Sequence, residues 1–400
     1  MKYFIDLFGC VKNQVDAENM MASLNEAGWT PTEDPEQCDL IIVNSCGFIE
    51  SAKQESINAV LFHRRQHPTK KILLAGCLSQ RYSKELKDDL PEADCFFGID
   101  DLDGIAAAAG RALGARPLPA SGAGAGYTGS TGNSPPLSLP GSKSGSRPLL
   151  SLPGTAYVKI SEGCNNNCSY CAIPLIRGPL KSRSIDNIVL ECKTLLERGI
   201  KELCLIGQDT GSFGRDLQDT GAQKPDLSKG DLPLLLKSLS RLEGEFRIRL
   251  LYLHPDNFPI EILDIMEKDK RILPYFDLPF QHASEKILRA MNRRGSAEKY
   301  LELIAHIRSK FEDAALRSTF LTGFPGESED DFRLLLDFQE RAKLDWLGCF
   351  AYSREDNTPA YNMKGRVSKK LAEERKKIIE ERQVPITEKQ MDRFIGRNFD

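Results

Sequence analysis

Three cysteines lie close together in the run Glu162-Gly-Cys164-Asn-Asn-Asn-Cys168-Ser-Tyr-Cys171, spaced C-x-x-x-C-x-x-C with no fourth cysteine close behind. Iron–sulfur clusters are normally held by four thiolates. Three on a four-iron cluster leave one iron open, and the amino and carboxylate groups of S-adenosylmethionine suit such a position. Electron transfer into the bound sulfonium then breaks a carbon–sulfur bond and releases a carbon radical. A zinc ion completed by a distant histidine is the competing reading. A chance cluster of core cysteines fits less well, because the intervening Gly and Asn residues read as a loop.

A second set is dispersed. Apolar runs at residues 3–8, 40–43 and 71–75 have the composition of buried strands, with a fourth strand at 94–97. Helical stretches lie between them, such as residues 13–27 ahead of Gly28. This alternation predicts a small, doubly wound parallel sheet. Its first three strands each run into a cysteine: Cys10, Cys46 and Cys77. Strand carboxyl ends lie side by side in such a sheet and form its ligand crevice. Cysteine also serves as a small buried hydrophobe, but repetition at three equivalent positions favours a second three-thiolate cluster. Cys38, Cys95, Cys192, Cys204 and Cys349 share no spacing and read as structural.

Four hundred residues imply two or three domains. With 54 basic and 57 acidic residues, no strong polyanion-binding field is expected. The N-terminus lacks a signal-peptide pattern, and no stretch reaches the length of a membrane span. Eleven cysteines in such a chain point to metal or redox chemistry in the cytoplasm rather than to disulfides. Residues 110–154 are rich in Gly, Ala, Ser and Pro and read as a flexible linker or insertion. Beyond them, strands are expected at 156–160, 202–206, 247–253, 275–278, 317–321 and 346–352, with helices including 185–198, 327–341 and 367–383. Six strand–helix units predict an incomplete (β/α)6 barrel, with the cysteine loop following its first strand at the active-site face.

The chain resembles the methylthiotransferase family of radical S-adenosylmethionine enzymes. The resemblance rests on Phe8-Gly-Cys10-Val-Lys-Asn13-Gln-Val-Asp16-Ala-Glu18, Val43-Asn44-Ser-Cys46-Gly47, Gly76-Cys77 and Lys159 through Arg177-Gly178. It implies two 4Fe-4S clusters and S-adenosylmethionine, with Cys164, Cys168 and Cys171 holding the cofactor-cleaving cluster. Cys10, Cys46 and Cys77 then hold an auxiliary cluster that carries or donates sulfur, and a second S-adenosylmethionine supplies the methyl group. One branch of the family modifies adenosine beside the tRNA anticodon; the other modifies an aspartate of small-subunit ribosomal protein S-twelve. Cys171-Ala-Ile-Pro-Leu-Ile-Arg-Gly178, Gly207-Gln-Asp-Thr210, Asp277-Leu-Pro-Phe-Gln-His282-Ala-Ser284 and Tyr352-Ser-Arg-Glu355 resemble the protein-modifying branch. The implied partners are that ribosomal protein, within the assembled subunit, a reductant such as flavodoxin or ferredoxin, and a sulfur donor, with no membrane. A non-catalytic iron–sulfur sensor is the reading from another class.

The implied organisation is a methylthiotransferase N-terminal domain over 1–112, a linker over 113–153 and a radical core over 154–385. Residues 386–400 stand where the first strand of a TRAM-type β-barrel begins in members, so that domain is expected to be absent or truncated here. Tyr170 is assigned to the cofactor adenine or to packing at the barrel mouth. Gly207, Gln208 and Asp209, ending the second core strand, bind the cofactor's amino and carboxylate groups or cap the next segment. Thr322 and Gly323 let backbone approach adenosine or form a plain turn. His254 and His282 face the substrate or are satisfied locally; Arg177 and Arg183 meet substrate or cofactor carboxylate, or are solvated.

Overall fold

The computed structural model describes residues 1–114, 147–217 and 231–397, which fold as two compact units, Met1–Leu152 and Pro153–Asp400. The linker expected between them falls largely on residues 115–146, outside the described residues. Its edges differ from expectation. Gly110 is still inside a helix, and residues 147–152 belong to the first unit. There Arg147 is buried against Glu18, Nη1 to Oε2 3.4 Å, and the Leu150 amide donates to Glu18 Oε1 at 2.9 Å.

The first unit runs β1 (Lys2–Leu7), α1 (Val11–Glu26), β2 (Thr30–Pro31), β3 (Leu40–Ser45), α2 (Glu50–Gln66), β4 (Lys71–Gly76), α3 (Cys77–Asp89), β5 (Cys95–Phe97) and α4 (Ile105–Ala112). All pairings are parallel, in the order β2-β1-β3-β4-β5. The apolar runs are central strands because both faces are covered: Leu40, Ile41, Ile42 and Val43 are wholly buried, as are Ile72, Leu73 and Leu74. Each such side chain contributes about 1.5–3 kcal/mol of burial. Short β2, which sequence reasoning missed, pairs only through Thr30 and Pro31 at the edge. The strand order reverses between β1 and β3, which places a crevice at their carboxyl ends.

The second unit runs β6 (Thr155–Lys159), β7 (Ser161–Glu162), α5 (Ile173–Arg177), β8 (Lys181–Ser182), α6 (Ile185–Glu197), β9 (Glu202–Ile206), α7 (Leu232–Leu239), β10 (Arg247–Leu250), α8 (Ile262–Lys268), β11 (Tyr275–Asp277), α9 (Glu285–Ala290), α10 (Ala297–Lys310), β12 (Ala315–Thr322), α11 (Glu329–Ala342), β13 (Trp346–Ala351) and α12 (Lys369–Met391). Parallel β6-β9-β10 and β11-β12-β13 are joined by backbone hydrogen bonds: Ile248 N to Arg271 O at 2.7 Å, Leu273 N to Ile248 O at 2.8 Å, and Leu253 N to Asp277 O at 2.9 Å. The result is the open (β/α)6 barrel that the sequence predicts.

Serine starts many of these helices. Ser184, Ser296, Ser328 and Ser368 each accept from an amide of the first turn, and Ser328 forms a reciprocal capping box with Asp331. Outside the sheet, Phe276 packs against Phe311, and Phe320 against Phe338, fixing β11 and β12 to their helices. The boundary expected at 385 lies within a helix, since α12 continues past Pro385 to Met391 and Asp392–Phe394 adds a further tight turn.

Gly76 joins β4 to α3 at φ +94° and ψ −158°, where an added Cβ would stand 2.6 Å from both Asn44 Oδ1 and Ser45 O. Only glycine holds that conformation cheaply. Gly76→Ala should therefore destabilise the first unit by about 1–3 kcal/mol. Thermal denaturation checks this; an unchanged transition would show that the β4 turn relaxes freely.

Candidate iron–sulfur and cofactor sites

In the second unit, residues 163–180 leave the barrel after β7 and return at β8. The antiparallel pairs Ser161↔Ser182 and Glu162↔Lys181 pin both ends of this excursion. Gly163 opens it at φ +70°, with no room for a side chain: a Cβ would lie 2.0 Å from Pro179 O. The loop is then stitched down by its own asparagines and by backbone. Asn165 Oδ1 accepts from Leu180 N (3.0 Å), Ser169 N donates to Met291 O (3.0 Å), and Asn292 Nδ2 donates to Asn167 O (3.0 Å).

Asp209 is the centre of this mouth. Its buried carboxylate accepts from Asn166 Nδ2 (2.9 Å), Ser212 Oγ (2.6 Å), Asn257 Nδ2 (2.9 Å), Gly211 N (3.1 Å) and His254 N (3.1 Å). It thereby ties the cysteine loop to the ends of β9 and β10. Of the two roles expected for it, the carboxylate takes the cap: Asp209 caps the turn Thr210–Ser212 through Gly211 N, and its remaining bonds position the cysteine loop. Asn257, which carries no motif of its own, completes the bridge by donating to Asn166 Oδ1 at 2.7 Å.

Cys164, Cys168 and Cys171 lie within electrostatic reach of one another. Burial pushes the Cys164 thiol up to about 11, and burial followed by the neighbouring Cys168 pushes Cys171 up to about 12; burial also raises Cys168. Three thiols this reluctant to ionise need a strongly cationic ligand to hold them as thiolates. Among the described residues no three of His, Cys, Asp or Glu converge closely enough to hold one metal ion. Three thiols on one short loop suit a cluster, in which each thiolate binds a different iron.

Around Cys168 stand groups the sequence did not single out together. His254 Nδ1 accepts from Asp256 N at 3.2 Å, so its proton sits on Nε2, which faces Cys168 Sγ at 3.9 Å. Burial, and then the charge of Arg293, push this imidazole down to about 4. Arg293 is buried, with Nη1 on Tyr170 Oη (3.2 Å) and Nη2 on Pro279 O (2.8 Å), and its Nε has no partner among the described residues. Burial opposes its charge, yet Tyr170 and Cys168 outweigh that and raise its pKa. Tyr170 is partly buried against the cluster of Ile287, Met291, Leu321, Phe324 and Ala360. Only the long reach from α9 back to the loop reveals Arg293, and no local spacing could have found it.

At the other end of the mouth, Glu162 pairs with Lys159 (2.6 Å) and Arg177 (2.9 Å), and accepts from Gln208 Nε2 (3.1 Å). Burial alone would raise its carboxyl, but Arg177 and Lys159 win and hold it well below the usual range. Gln208 Oε1 is buried without a partner among the described residues, an acceptor ready for a ligand N–H. Gly207 packs closely on β7, where a Cβ would meet Ser161 Oγ at 2.7 Å and turn that hydroxyl aside. Thr322 Oγ1 donates to Ala372 O (3.0 Å), and Gly323 leaves only room for Ala372 of α12 at 2.3 Å from its would-be Cβ. Both serve helix packing. Arg183 turns away to Glu191 (2.5 Å) and Lys159 O. His282 is fully buried, its Nδ1 taken by Ala283 N and Ser284 N, with Nε2 3.5 Å from Glu327. Both are buried and paired with protein groups, and neither Arg177 nor Arg183 is a solvated loop residue.

In the first unit, Cys10 caps the start of α1, Cys46 follows β3 and Cys77 opens α3, at the ends of three neighbouring strands. Their exposure falls from exposed Cys10 through Cys46 to buried Cys77. Asn13 binds the three turns together. Its Nδ2 donates to Phe8 O (3.1 Å) and Ser45 O (2.9 Å), and Cys77 Sγ donates to its Oδ1 (3.2 Å). Bare glycines border the crevice: a Cβ on Gly9 would be 3.1 Å from Cys46 Cβ, and one on Gly47 2.7 Å from Cys77 O. This three-thiol crevice fits a second cluster.

The low pKa of His254 makes acid destabilising. Its folded value of about 4 lies below the ordinary 6.5, so the unfolded chain binds the proton first. The stability it contributes is complete above 6.5 and is lost as pH falls towards 4. In His254→Asn the thermal midpoint of the metal-free protein should fall less steeply across that window; parallel curves would contradict a neutral buried imidazole.

Residues 2–98 match the family model described as Uncharacterized protein family UPF0004, and residues 158–338 match the Radical SAM superfamily. The ribosomal protein uS12 methylthiotransferase RimO of Treponema denticola is 47% identical over 412 residues, covering 99% of this chain and 85% of that protein. The protein of the same name from Pseudothermotoga lettingae is 40% identical, covering 100% and 87%. Among solved structures, the radical S-adenosylmethionine methyltransferase TsrM of Kitasatospora setae, with cobalamin and a [4Fe-4S] cluster bound, superposes with a TM-score of 0.60 at 15% identity. That likeness covers 90% of this chain and 73% of TsrM and establishes the shared fold. The two triads, the open barrel and near-full-length identity lead to one conclusion: this chain belongs to the RimO family of radical S-adenosylmethionine methylthiotransferases.

Proposed function

We propose that this chain methylthiolates the β-carbon of an aspartate on ribosomal protein uS12, in the cytoplasm and on the assembled small subunit. The observation that carries the reading is two separate cysteine triads, each at strand carboxyl ends, in a chain 47% identical to a uS12 methylthiotransferase. No helix among the described residues is long and apolar enough to cross a membrane. A reductant such as flavodoxin or ferredoxin and a sulfur donor complete the set of partners.

Cys164, Cys168 and Cys171 hold one 4Fe-4S cluster, and Cys10, Cys46 and Cys77 hold the other. When bound, these groups and S-adenosylmethionine supply a hydrogen-abstracting deoxyadenosyl radical, a sulfur atom and a methyl group. The chain's own residues prepare the site. Asp209 and Asn257 fix the cysteine loop over β9 and β10. His254 aims an N–H at Cys168, while Arg293 offsets buried thiolate charge and holds Tyr170 by its hydroxyl. In this reading Gln208 Oε1, buried without a partner among the described residues, accepts from the cofactor's amino group. An aspartate β-hydrogen is beyond the reach of side-chain bases near neutral pH, so the target carbon must enter the barrel mouth on a protruding loop.

Reconstituted anaerobically, the enzyme should add a methylthio group to uS12, read by mass spectrometry, and leave isopentenyl-adenosine tRNA unchanged. Labelled methyl on the tRNA instead would move the chain to the nucleic-acid branch, and absence of reductive cofactor cleavage would favour a sensor.

The two triads should also separate in function. Changing Cys164, Cys168 and Cys171 to Ala should leave about half the iron and abolish cofactor cleavage. Changing Cys10, Cys46 and Cys77 should spare deoxyadenosine formation but stop sulfur insertion. Loss of deoxyadenosine in the latter, with the barrel cluster intact, would overturn the division of labour.

A further inference from the structure

We infer that Arg249 and Arg317, on the inner face of the barrel, grip the carboxylate of the substrate aspartate; this rests on the substrate proposed above. Strand alternation sets the inner face. Ile248, Phe276, Leu316 and Phe320 are wholly or almost wholly buried on the outer, helix-covered side. Their neighbours Arg249, Tyr275, Asp277 and Arg317 therefore point inward. Register aligns Cys204 with Arg249, and Asp277 with Arg317. An interior that served stability alone would be filled with branched aliphatic side chains. This one carries two guanidinium groups.

Both are held in place by one edge. Arg249 Nε donates to Glu202 Oε1 at 2.6 Å, and its guanidinium carbon lies 4.7 Å from the Tyr275 ring centroid. Arg317 Nη1 donates to Asp277 Oδ1 at 2.7 Å, with Asp277 nearly inaccessible and the Arg317 side chain 40% exposed. Tyr275 is within electrostatic reach of both arginines and of Asp277. The second edge of Arg317 makes no hydrogen bond among the described residues, and Arg249 donates beyond Glu202 only to the Cys204 thiol, a weak acceptor. A carboxylate, which can take two parallel N–H donors from an arginine fork, suits the one and outcompetes the thiol at the other. Because the arginines are already oriented, little ordering is lost on binding.

The pair also lies below the reacting mouth. Asp277 Oδ2 accepts from Tyr252 N at 3.1 Å, and two residues on, His254 faces Cys168. Trp346, aligned with Arg317, and Phe350 are each 51% exposed on this inner face of β13 and offer an apolar wall to an incoming loop. An asparagine in place of the aspartate would turn its NH2 towards guanidinium donors, which penalises the amide.

The test is equilibrium binding of small ribosomal subunits whose uS12 carries either the target aspartate or asparagine there. Wild-type full-length protein should bind the aspartate form about tenfold tighter, the scale of a hydrogen bond to a charged group. In Arg249→Gln the ratio should fall towards one. In Arg317→Lys, which keeps a partner for Asp277 but loses the fork, it should also fall. Thermal melting identifies a variant that fails to fold, and the other then carries the test. Equal binding of both forms by the wild type, or an unchanged ratio in the folded variants, overturns the inference and leaves the activity standing. If the wild type binds neither form, the uS12 reading itself fails, and the inference with it.

Discussion

The active face of the barrel depends on one buried carboxylate. Asp209 collects donors from the cysteine loop, from its own turn and from the segment after β10, so that three excursions of the chain share one anchor. A parallel strand ends in a turn whose amides need acceptors, and burying them unpaired costs about 1–3 kcal/mol each. The acceptor that satisfies them also fixes where Cys164, Cys168 and Cys171 can stand. The first unit solves the same problem with a neutral group. The Asn13 carboxamide has both donors and an acceptor, and it uses them on Phe8, Ser45 and Cys77. Each unit thus places its triad with one polar side chain that has little bonding capacity left over.

Charge is arranged around these anchors with equal economy. Glu162 sits between two cations, Lys159 and Arg177, which keep it ionised despite burial. Arg293 has no carboxylate on its guanidinium within hydrogen-bonding distance among the described residues; it donates to Tyr170 Oη and Pro279 O. A buried cation without a carboxylate is costly unless a negative group completes it. Thiolates bound to a cluster are such a group.

Much of this was legible in the sequence. The six cysteines declare themselves by spacing or by following apolar runs, and the strands are short enough that hydrophobic runs locate them within a few residues. What was not legible depends on distance along the chain. Arg293 reaches Tyr170 from a turn 123 positions away, and Asn257 meets Asn166 across 91. Asp209 reads as either a ligand-binding residue or a cap at a strand end; it does cap the next turn, and its donors from Asn166, Asn257 and His254 make it an anchor that sequence did not foresee. Arg183 looks like a basic loop residue until Glu191, on the following helix, claims it. The helical run through Pro385 was missed because proline ordinarily ends a helix; here α12 continues beyond it.

The raised thiol pKa values of the barrel triad have a consequence for how the protein acquires metal. Cys164, near 11, and Cys171, near 12, are protonated at neutral pH in the metal-free chain, and Cys168 is shifted the same way. Filling the site therefore expels protons, and by mass action every unit of acidification opposes it. Loading is favoured in alkaline medium, and an acid pulse acts as a chelator would, by returning the protons that the cluster displaced.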